Sequence, residues 1–417
     1  MLTKFISSAL WVLAISVQAA AAEEITLRVD ATPSIFKSMF DAFATDFERD
    51  NPDIKVRINA SFRSQEDIVQ ATLRQAVVND LPDVSFQGYN FLRTIVERDI
   101  PVPLDDFIAS DPEWTAETFS PSVVGSTKID GQIQGIGVGF SVPVLYYNAD
   151  LVRQASGDAP FPKTWDEIIK LAKKIEGSNE RVVGGFYRTD ALFFQAQLNS
   201  RGTGYMDSKE TVILPDNDAA QSAFALIKSI GEAGQAKVPM QREQARQAFT
   251  SGTVGMLSDM SSQIASFKKQ IAGNFELGVA RFPIPAASGR IPAAGIAAIM
   301  STKDPVRQKA AWKFLKYLAR VNGQEILARE TSYMPTNEVV VEQSKTLKAQ
   351  IDAEPLLSPV LESAPYATSW YAFPGANAAK IDVTIGDIVE RVSTLKLDPE
   401  AAVQELRKKV GQMLPNK

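Results

Sequence analysis

The sequence predicts an α/β protein of two lobes, each a mostly parallel sheet flanked by helices. Three observations support this fold class. The chain has 417 residues, more than a single hydrophobic core usually holds. Strand and helix patterns alternate along it in two series, and extended segments marked by glycine or proline separate those series. Hydrophobic residues make up 45% and charged residues 22%, which excludes disordered, collagen-like and polytopic membrane classes.

The first 22 residues have the pattern of a secretory signal peptide. Lys4 gives a positive start, residues 5–17 form an uncharged apolar run, and Ala20 to Ala22 offer a small-residue cleavage pattern. The apolar run is short for a membrane span, and no cysteine follows that could carry a lipid. We therefore expect cleavage after Ala22 and a soluble periplasmic protein.

The first lobe is predicted to begin with three strand–helix pairs. Four phenylalanines spaced four, three and four residues apart, Phe36 to Phe47, form the apolar stripe of a helix. Ser64 and Asp67 resemble a capping pair. The predicted order is a strand at 25–29, a helix at 34–49, a strand at 54–58, a helix at 64–78, a strand at 83–86 and a helix at 90–98.

Residues 128–148 predict extended chain that crosses from the first lobe to the second. Residues 129–132 form a turn pattern, and glycines then alternate up to Gly139. A dinucleotide-binding loop would open a helix after its last glycine. Pro143 and the Val-Leu-Tyr-Tyr run that follows favour a strand instead.

A second α/β series follows and then gives way to helical sequence. Helices are predicted at 164–175, 190–200, 217–232, 242–250 and 304–320, strands at 181–187 and 253–257, and further crossings at 275–285 and 332–335. Residues 23–140 and 281–331 are accordingly assigned to the first lobe, and residues 141–280 and 332–417 to the second. Since extended segments join such lobes, we expect hinge motion around a ligand in the cleft between them.

The composition narrows the possible chemistry. The chain has no histidine and no cysteine, which excludes Ser-His-Asp catalysis, thiolate nucleophiles and His- or Cys-based metal sites. A formal charge of −5 without a basic run argues against nucleic-acid binding. We predict no catalytic residue, metal or cofactor. A secreted carbohydrate-active enzyme with paired carboxylates stays an alternative, although the eightfold pattern of a barrel hydrolase is missing.

Several motifs resemble the family 1 extracellular solute-binding proteins of ABC importers. The most specific is residues 137–154 with Val144-Leu145-Tyr146-Tyr147-Asn148, although Gly139 and Gln154 depart from the family pattern. The others, in the family's order, are Asn51-Pro52, Leu81-Pro82-Asp83-Val84, Thr164-Trp165-Asp166-Glu167, Gly255-Met256 and Tyr333-Met334-Pro335. The resemblance implies the type II periplasmic-binding-protein fold and a monomer that delivers a small solute to an inner-membrane permease with a cytoplasmic ATPase.

The resemblance also implies a ligand site, nearest to that of the glycerol-phosphate binders. The implied contacts are Tyr89, Ser141, Ser261 or Ser262, Gly295 and Tyr333. Where that subgroup carries an arginine, this chain has an aromatic stretch with Trp370 and Tyr371.

A phosphate prefers arginine forks or helix N-termini, whereas aromatic faces suit a sugar ring. The sequence therefore favours a carbohydrate or polyol, with glycerol phosphate as the alternative. Plain packing is the alternative role for Trp370 and Tyr371, and an interlobe strut is the alternative for Tyr333.

We predict that the exported protein begins at Glu23, because the signal peptidase reads the small residues before it. N-terminal sequencing of protein from a periplasmic extract measures this directly. An intact Met1 in the membrane fraction would show that the segment is an anchor.

Overall fold

The structure is a computed structural model that describes residues 24–114, 122–178 and 181–415. The predicted signal peptide lies outside these residues. Within the described ranges, every helix is too short or too polar to span a bilayer.

The strands and helices follow the predicted alternation. The strands are β1 (Ile25–Asp30), β2 (Ile54–Asn59), β3 (Val84–Gly88), β4 (Lys128–Ile129), β5 (Gln132–Ile133), β6 (Ile136–Ser141), β7 (Pro143–Asn148), β8 (Met256–Met260), β9 (Leu277–Arg281), β10 (Ile291–Met300), β11 (Met334–Pro335) and β12 (Ala367–Ser369). The helices are α1 (Lys37–Asp50), α2 (Gln65–Val77), α3 (Leu92–Val96), α4 (Asp105–Ser110), α5 (Ser122–Gly125), α6 (Ala149–Ser156), α7 (Trp165–Ser178), α8 (Ala191–Ser200), α9 (Asn217–Glu232), α10 (Arg242–Thr250), α11 (Ile264–Ile271), α12 (Pro305–Leu318), α13 (Val321–Glu330), α14 (Glu338–Gln343), α15 (Lys345–Asp352), α16 (Ser358–Ser363), α17 (Ala378–Ser393) and α18 (Pro399–Gly411).

Two sheets define the two lobes. The larger sheet has the order β11-β6-β10-β3-β1-β2, and the smaller one has the order β8-β7-β9. Phe40, Phe43 and Phe47 of the predicted stripe lie on α1 and are buried in the core of the larger sheet, together with side chains of α12 and α13. Phe36 lies in the 3-10 turn before α1 and is half-buried. The core of the second lobe gathers around β7 and β8 and includes α9, α17 and α18.

The prediction of mostly parallel sheets was wrong. β1 pairs in parallel with β2 and β3, and β10 pairs in parallel with β12. However, β10 runs antiparallel to β3 and β6, β11 runs antiparallel to β6, and β7 runs antiparallel to both β8 and β9. In the larger sheet, β10, which brings the chain back from the second lobe, runs opposite to β3 and β6.

The first crossing lies where the sequence predicts it. β6 belongs to the larger sheet and β7 to the smaller, so the chain changes lobe at the buried Val142. Its amide donates to the Ser261 hydroxyl (3.2 Å), and its carbonyl accepts from the Ser261 amide (2.9 Å). This exchange of hydrogen bonds fixes the crossing point.

The other two crossings lie later than predicted. β9 remains in the smaller sheet, and the return is made within β10: Ile291 to Ala293 pair with β12, and the residues from Ala294 onwards pair with β6. The prolines at 283 and 285 correctly indicated extended chain. They could not indicate which sheet that chain joins, because this depends on partner strands that are distant in the sequence.

The sequence predicts the third crossing at residues 332–335, where the last segment assigned to the second lobe begins. There β11 pairs with β6 of the larger sheet. α15 then packs through Leu347 and Ile351 against Ala328 of α13, and the chain joins the second core at Val360. Whether the two lobes move as separate units stays a prediction.

The prediction of a strand at residues 181–187 was also wrong. The segment makes single parallel bridges, Val183 to Val254 and Phe186 to Leu257, without a continuous ladder. Gly184 brings the backbone against the Ala172 carbonyl of α7, where a Cβ atom would overlap it. This close approach to the helix interrupts regular pairing.

A buried ion-pair network holds the second lobe together. Asp259 on β8 is fully buried and accepts from Arg188 (2.9 Å) and Arg246 (2.6 and 3.0 Å). Burial alone would raise the pKa of Asp259, but the two guanidinium groups overcome it and lower the pKa to about 2. The network links β8 to α10 and to the segment before α8.

We predict that Asp259→Asn lowers the free energy of unfolding by about 3–5 kcal/mol, because it leaves two arginines without their buried partner. Since the folded pKa lies below the unfolded value of about 3.9, the carboxylate stabilises the fold above pH 4, and this contribution is lost as the pH falls towards 2. Urea unfolding at several pH values should show the gap between wild type and variant narrowing with acid.

Glu243→Gln is the matched control. Glu243 also lies beside Arg246, at 3.9 Å, but its side chain is 64% exposed, so its loss should cost less than about 1 kcal/mol. Equal stability of Asp259→Asn and wild type at pH 7 would contradict the role assigned to the network.

Candidate ligand cleft

A cleft of about 860 Å³ lies between the two lobes. The first lobe lines it with Tyr89, Arg93 and Phe140, and the second lobe lines it with the segment from Ala367 to Ala372. Its size falls within the range of small-molecule pockets. The lining therefore comes from opposite lobes, as expected for a hinged binding site.

Tyr89 forms the floor of the cleft on the first lobe. It follows β3 in a 3-10 turn, is almost fully buried, and donates its hydroxyl to the Gly139 carbonyl oxygen at 3.2 Å. Gly295 lies directly beneath: a Cβ atom there would overlap both the Tyr89 ring and the Gly139 carbonyl. Burial raises the pKa of Tyr89, so the hydroxyl stays protonated. The absence of a side chain at Gly295 thus leaves the space that the Tyr89 ring occupies.

Trp370 and Tyr371 form the opposite wall, in a loop after β12 as predicted. Gln195, buried on α8, fixes this loop on both sides of Trp370: its amide nitrogen donates to the Ser369 carbonyl (3.1 Å), and its amide oxygen accepts from the Tyr371 backbone N–H (3.1 Å). Among the described residues, the buried Trp370 indole N–H has no acceptor. The indole is therefore held in place by backbone contacts that leave its own donor unused.

The aromatic wall continues into the second core. Tyr371 meets Phe373 edge to face at a centroid distance of 5.0 Å, and Phe373 packs on Tyr205 at 5.1 Å. Phe373 and Tyr205 are buried. Edge-to-face contacts of this kind restrict ring rotation, so the wall is pre-formed.

An ion pair joins the lobes at one side of the cleft. Arg93 on α3 donates Nη1 to Glu210 Oε1 (2.6 Å) and Nη2 to Glu210 Oε2 (2.9 Å). The Tyr371 hydroxyl donates to the same Oε1 at 2.7 Å. Hydrogen bonding to Glu210 is the main cause that raises the pKa of Arg93. One carboxylate thus connects a residue of each cleft wall.

A second interlobe contact is a buried carboxyl on α17. Asp382 lies near Glu66 of α2 and Asp190, and burial together with those two charges raises its pKa to about 8. One turn earlier, Ala379 packs against the apolar cluster of the first lobe that contains Val69. Because Asp382 is protonated at neutral pH, α17 approaches the first lobe without an added negative charge.

Four of the predicted contacts, Ser141, Ser261, Gly295 and Tyr333, do not line this cleft. The Ser141 hydroxyl points to the Ala294 carbonyl (3.4 Å), and Ser261 is bonded to the Val142 backbone. Tyr333 packs edge-on against Phe36, with ring centroids 5.5 Å apart, and lines a separate groove. The structure places Tyr89, Trp370 and Tyr371 at the cleft, with Gly295 beneath Tyr89. Ser141 and Ser261 lie at the first crossing, and Tyr333 directly precedes β11 of the larger sheet.

Sequence reasoning missed the charged part of the site. Arg93 lies on the predicted helix after β3, and Lys128 directly precedes the predicted turn, but neither position carries a local signal of ligand contact. Glu210 lies 117 residues from its partner Arg93. Among the described residues, no group of three or more acidic side chains is placed to hold a metal ion.

We predict that Gly295→Ala lowers the free energy of unfolding by about 1–3 kcal/mol, because the added methyl group overpacks the contact between Tyr89 and β6. Urea titration followed by circular dichroism measures the change. Gly185→Ala is the control, since a Cβ atom there would meet its neighbours at an ordinary 3.7–3.8 Å. Equal stability of the two variants would show that Gly295 is not required for space.

Comparison with known proteins identifies the family of the chain. Residues 42–357 match the family described as bacterial extracellular solute-binding protein. The sn-glycerol-3-phosphate-binding periplasmic protein UgpB of Agrobacterium fabrum is 26% identical over 234 residues, which are 52% of this chain and 52% of that protein. The chain spans about half the length of several such curated relatives.

Solved structures share the fold. The GacH receptor of Streptomyces glaucescens, determined unliganded and with acarbose, has a TM-score of 0.78 at 20% identity, covering 93% of this chain and 98% of that one. UgpB from Mycobacterium tuberculosis in complex with glycerophosphocholine has a TM-score of 0.80 at 17% identity, covering 92% and 97%. These likenesses confirm the predicted two-lobed fold of type II periplasmic binding proteins. Together with the match over residues 42–357, they show that the chain belongs to the bacterial extracellular solute-binding proteins.

Proposed function

We propose that the protein is the solute-binding component of an ABC importer. It captures a neutral carbohydrate or polyol in the interlobe cleft and delivers it to an inner-membrane permease driven by a cytoplasmic ATPase. The observation that carries the proposal is the pre-formed aromatic wall of Trp370 and Tyr371 facing Tyr89 across a cleft of about 860 Å³.

The wall suits a sugar ring for two reasons. Flat aromatic faces pack against the apolar C–H faces of such a ring, and tyrosine hydroxyls and the indole N–H bond its hydroxyl groups. The Trp370 indole N–H has no acceptor among the described residues, and a ligand oxygen would supply one. Gln195 holds the loop in place before binding, which lowers the entropic cost of association.

Tyr89, Trp370 and Tyr371 are the proposed contacts, and Gly295 is a spacer beneath Tyr89. Ser141 and Ser261 lie at the first crossing, and we propose that they support the hinge about which the lobes close. Tyr333 packs on Phe36 within the first lobe. Such closure around a ligand is the motion expected of two lobes joined by strands.

Glycerol phosphate is the second candidate ligand, because Arg93 and Lys128 line the cleft and relatives carry the name of glycerol-phosphate binders. Arg93, however, is already paired with Glu210, and Lys128 is exposed. A neutral ligand needs neither cation, which is why we place it first.

We further propose that the protein is not an enzyme and acts as a periplasmic monomer after cleavage behind Ala22. The carboxylates lining the cleft within the described residues, Asp130 and Glu338, are both exposed. Paired-carboxylate catalysis usually relies on a buried acid, and both of these side chains are open to solvent.

We predict that Trp370→Ala weakens carbohydrate binding by more than tenfold, since loss of an anchoring aromatic costs about 2 kcal/mol or more. A thermal-shift screen with sugars, polyols and glycerol phosphates first identifies the ligand; at 100 times its Kd it should add about 2.7 kcal/mol of stability. Calorimetry on wild type and variant then gives the ratio of affinities.

Tyr366→Ala is the matched control. It removes an aromatic side chain from the same segment, but Tyr366 packs over Arg281 at 5.1 Å and lines a different groove. The affinity of the Tyr366→Ala variant for the ligand should stay within about twofold of the wild-type value. A folded Trp370→Ala protein that binds as tightly as wild type would refute the stacking site, and tight binding of glycerol phosphate by that variant would favour the second candidate.

A further inference from the structure

The carboxylate of Glu210 belongs to the second lobe but pairs with a cation of the first. Arg93 and Glu210 expose only 21% and 27% of their side chains, and both terminal nitrogens of Arg93 engage Glu210. Bidentate pairs of this kind are among the strongest charge-assisted contacts. An anionic ligand that needs Arg93 must therefore displace Glu210.

The turn that carries Glu210 is built independently of Arg93. The Asp207 carboxylate accepts from the Thr211 backbone and hydroxyl (2.6 and 2.8 Å) and from the Val212 amide (2.9 Å). The Glu210 amide donates to the Asp207 carbonyl at 3.0 Å. The turn therefore holds Glu210 beside the cleft whether or not Arg93 is present.

Glu210 itself has a positive φ of 54°. Glycine adopts this left-handed conformation without cost, whereas other residues there are uncommon. A residue kept in such a conformation beside a binding site points to a use for its side chain.

Among the charged residues of the described cleft lining, Arg93 is the least exposed. The other described charged residues of the lining, Lys128, Asp130 and Glu338, are all exposed to solvent, where water screens them. Glu97 accepts from Arg93 Nε at 3.3 Å but leaves the two terminal nitrogens to Glu210. The charge of Glu210 therefore decides whether the cleft wall presents a free guanidinium fork.

We propose that Glu210 is a specificity-determining residue: by neutralising Arg93 it makes the cleft select a neutral hydroxyl-bearing solute over a phosphate-bearing one. This inference rests on the proposed function, and it explains how the proposed ligand site would exclude anions. The same carboxylate orients Tyr371, whose hydroxyl donates to Glu210 and so keeps its oxygen lone pairs for a ligand hydroxyl. One side chain thereby removes an anion site and sets up a neutral one.

The test compares Glu210→Gln with wild type by calorimetry, using sn-glycerol 3-phosphate, inorganic phosphate and maltose. The amide keeps the shape of the side chain and removes its charge, so Arg93 gains a fork for phosphate. We expect affinity for sn-glycerol 3-phosphate to rise roughly tenfold or more. In the double variant Glu210→Gln/Arg93→Met that gain should vanish.

Glu276→Gln is the control for net charge. Glu276 is an exposed carboxylate paired with Arg153 at 3.0 Å on the second lobe, so its replacement changes the total charge equally without touching the cleft. It should leave phosphate affinity at the wild-type value. If Glu210→Gln does not fold, as judged by circular dichroism, Glu210→Asp serves instead: its shorter side chain breaks the bidentate pair and should give a smaller gain.

The outcomes separate this inference from the proposed function. Wild type that binds sn-glycerol 3-phosphate as tightly as the folded Glu210 variant overturns the inference, and so does a gain that Glu276→Gln shares. Absence of any solute binding by wild type, beside phosphate binding by Glu210→Gln, overturns the proposed function and keeps the role of Glu210. Absence of binding by both forms overturns both.

Discussion

The structure depends on the pair of hydrogen bonds between Val142 and Ser261. They hold the single residue at which β6 of the larger sheet becomes β7 of the smaller. The strand partners of β7 and the turn that begins α11 therefore take their positions from this point. Because Val142 is fully buried, both its polar groups need partners, and Ser261 supplies them from the neighbouring strand end.

The cleft combines rigid parts with paired charges. Its aromatic wall is fixed through Gln195 and through ring contacts to the second core, while its floor is fixed by the fit of Tyr89 over Gly295. Arg93 brings a charge into a partly dry site, where an unpaired cation would be costly. Pairing with Glu210 offsets that cost.

Local patterns in the sequence predicted most elements and part of the site. Helices such as α9 and α10 begin and end at the predicted residues, because apolar periodicity and capping are local properties. The aromatic loop around Trp370 was also predicted. The antiparallel placement of β10 and the pairing of Arg93 with Glu210 were not, since each depends on residues more than 100 positions apart. No local pattern records such contacts.

The shared strand β10 also sets the order in which the chain can fold. β3 obtains its antiparallel neighbour only when residues 296–300 are available to pair with residues 84–88. The cluster beneath the larger sheet likewise lacks Ile296, Ala298 and Met300 until then. Contacts between such distant residues slow folding. A chain interrupted before residue 296 therefore carries an unpaired strand edge, which makes truncated forms prone to aggregation.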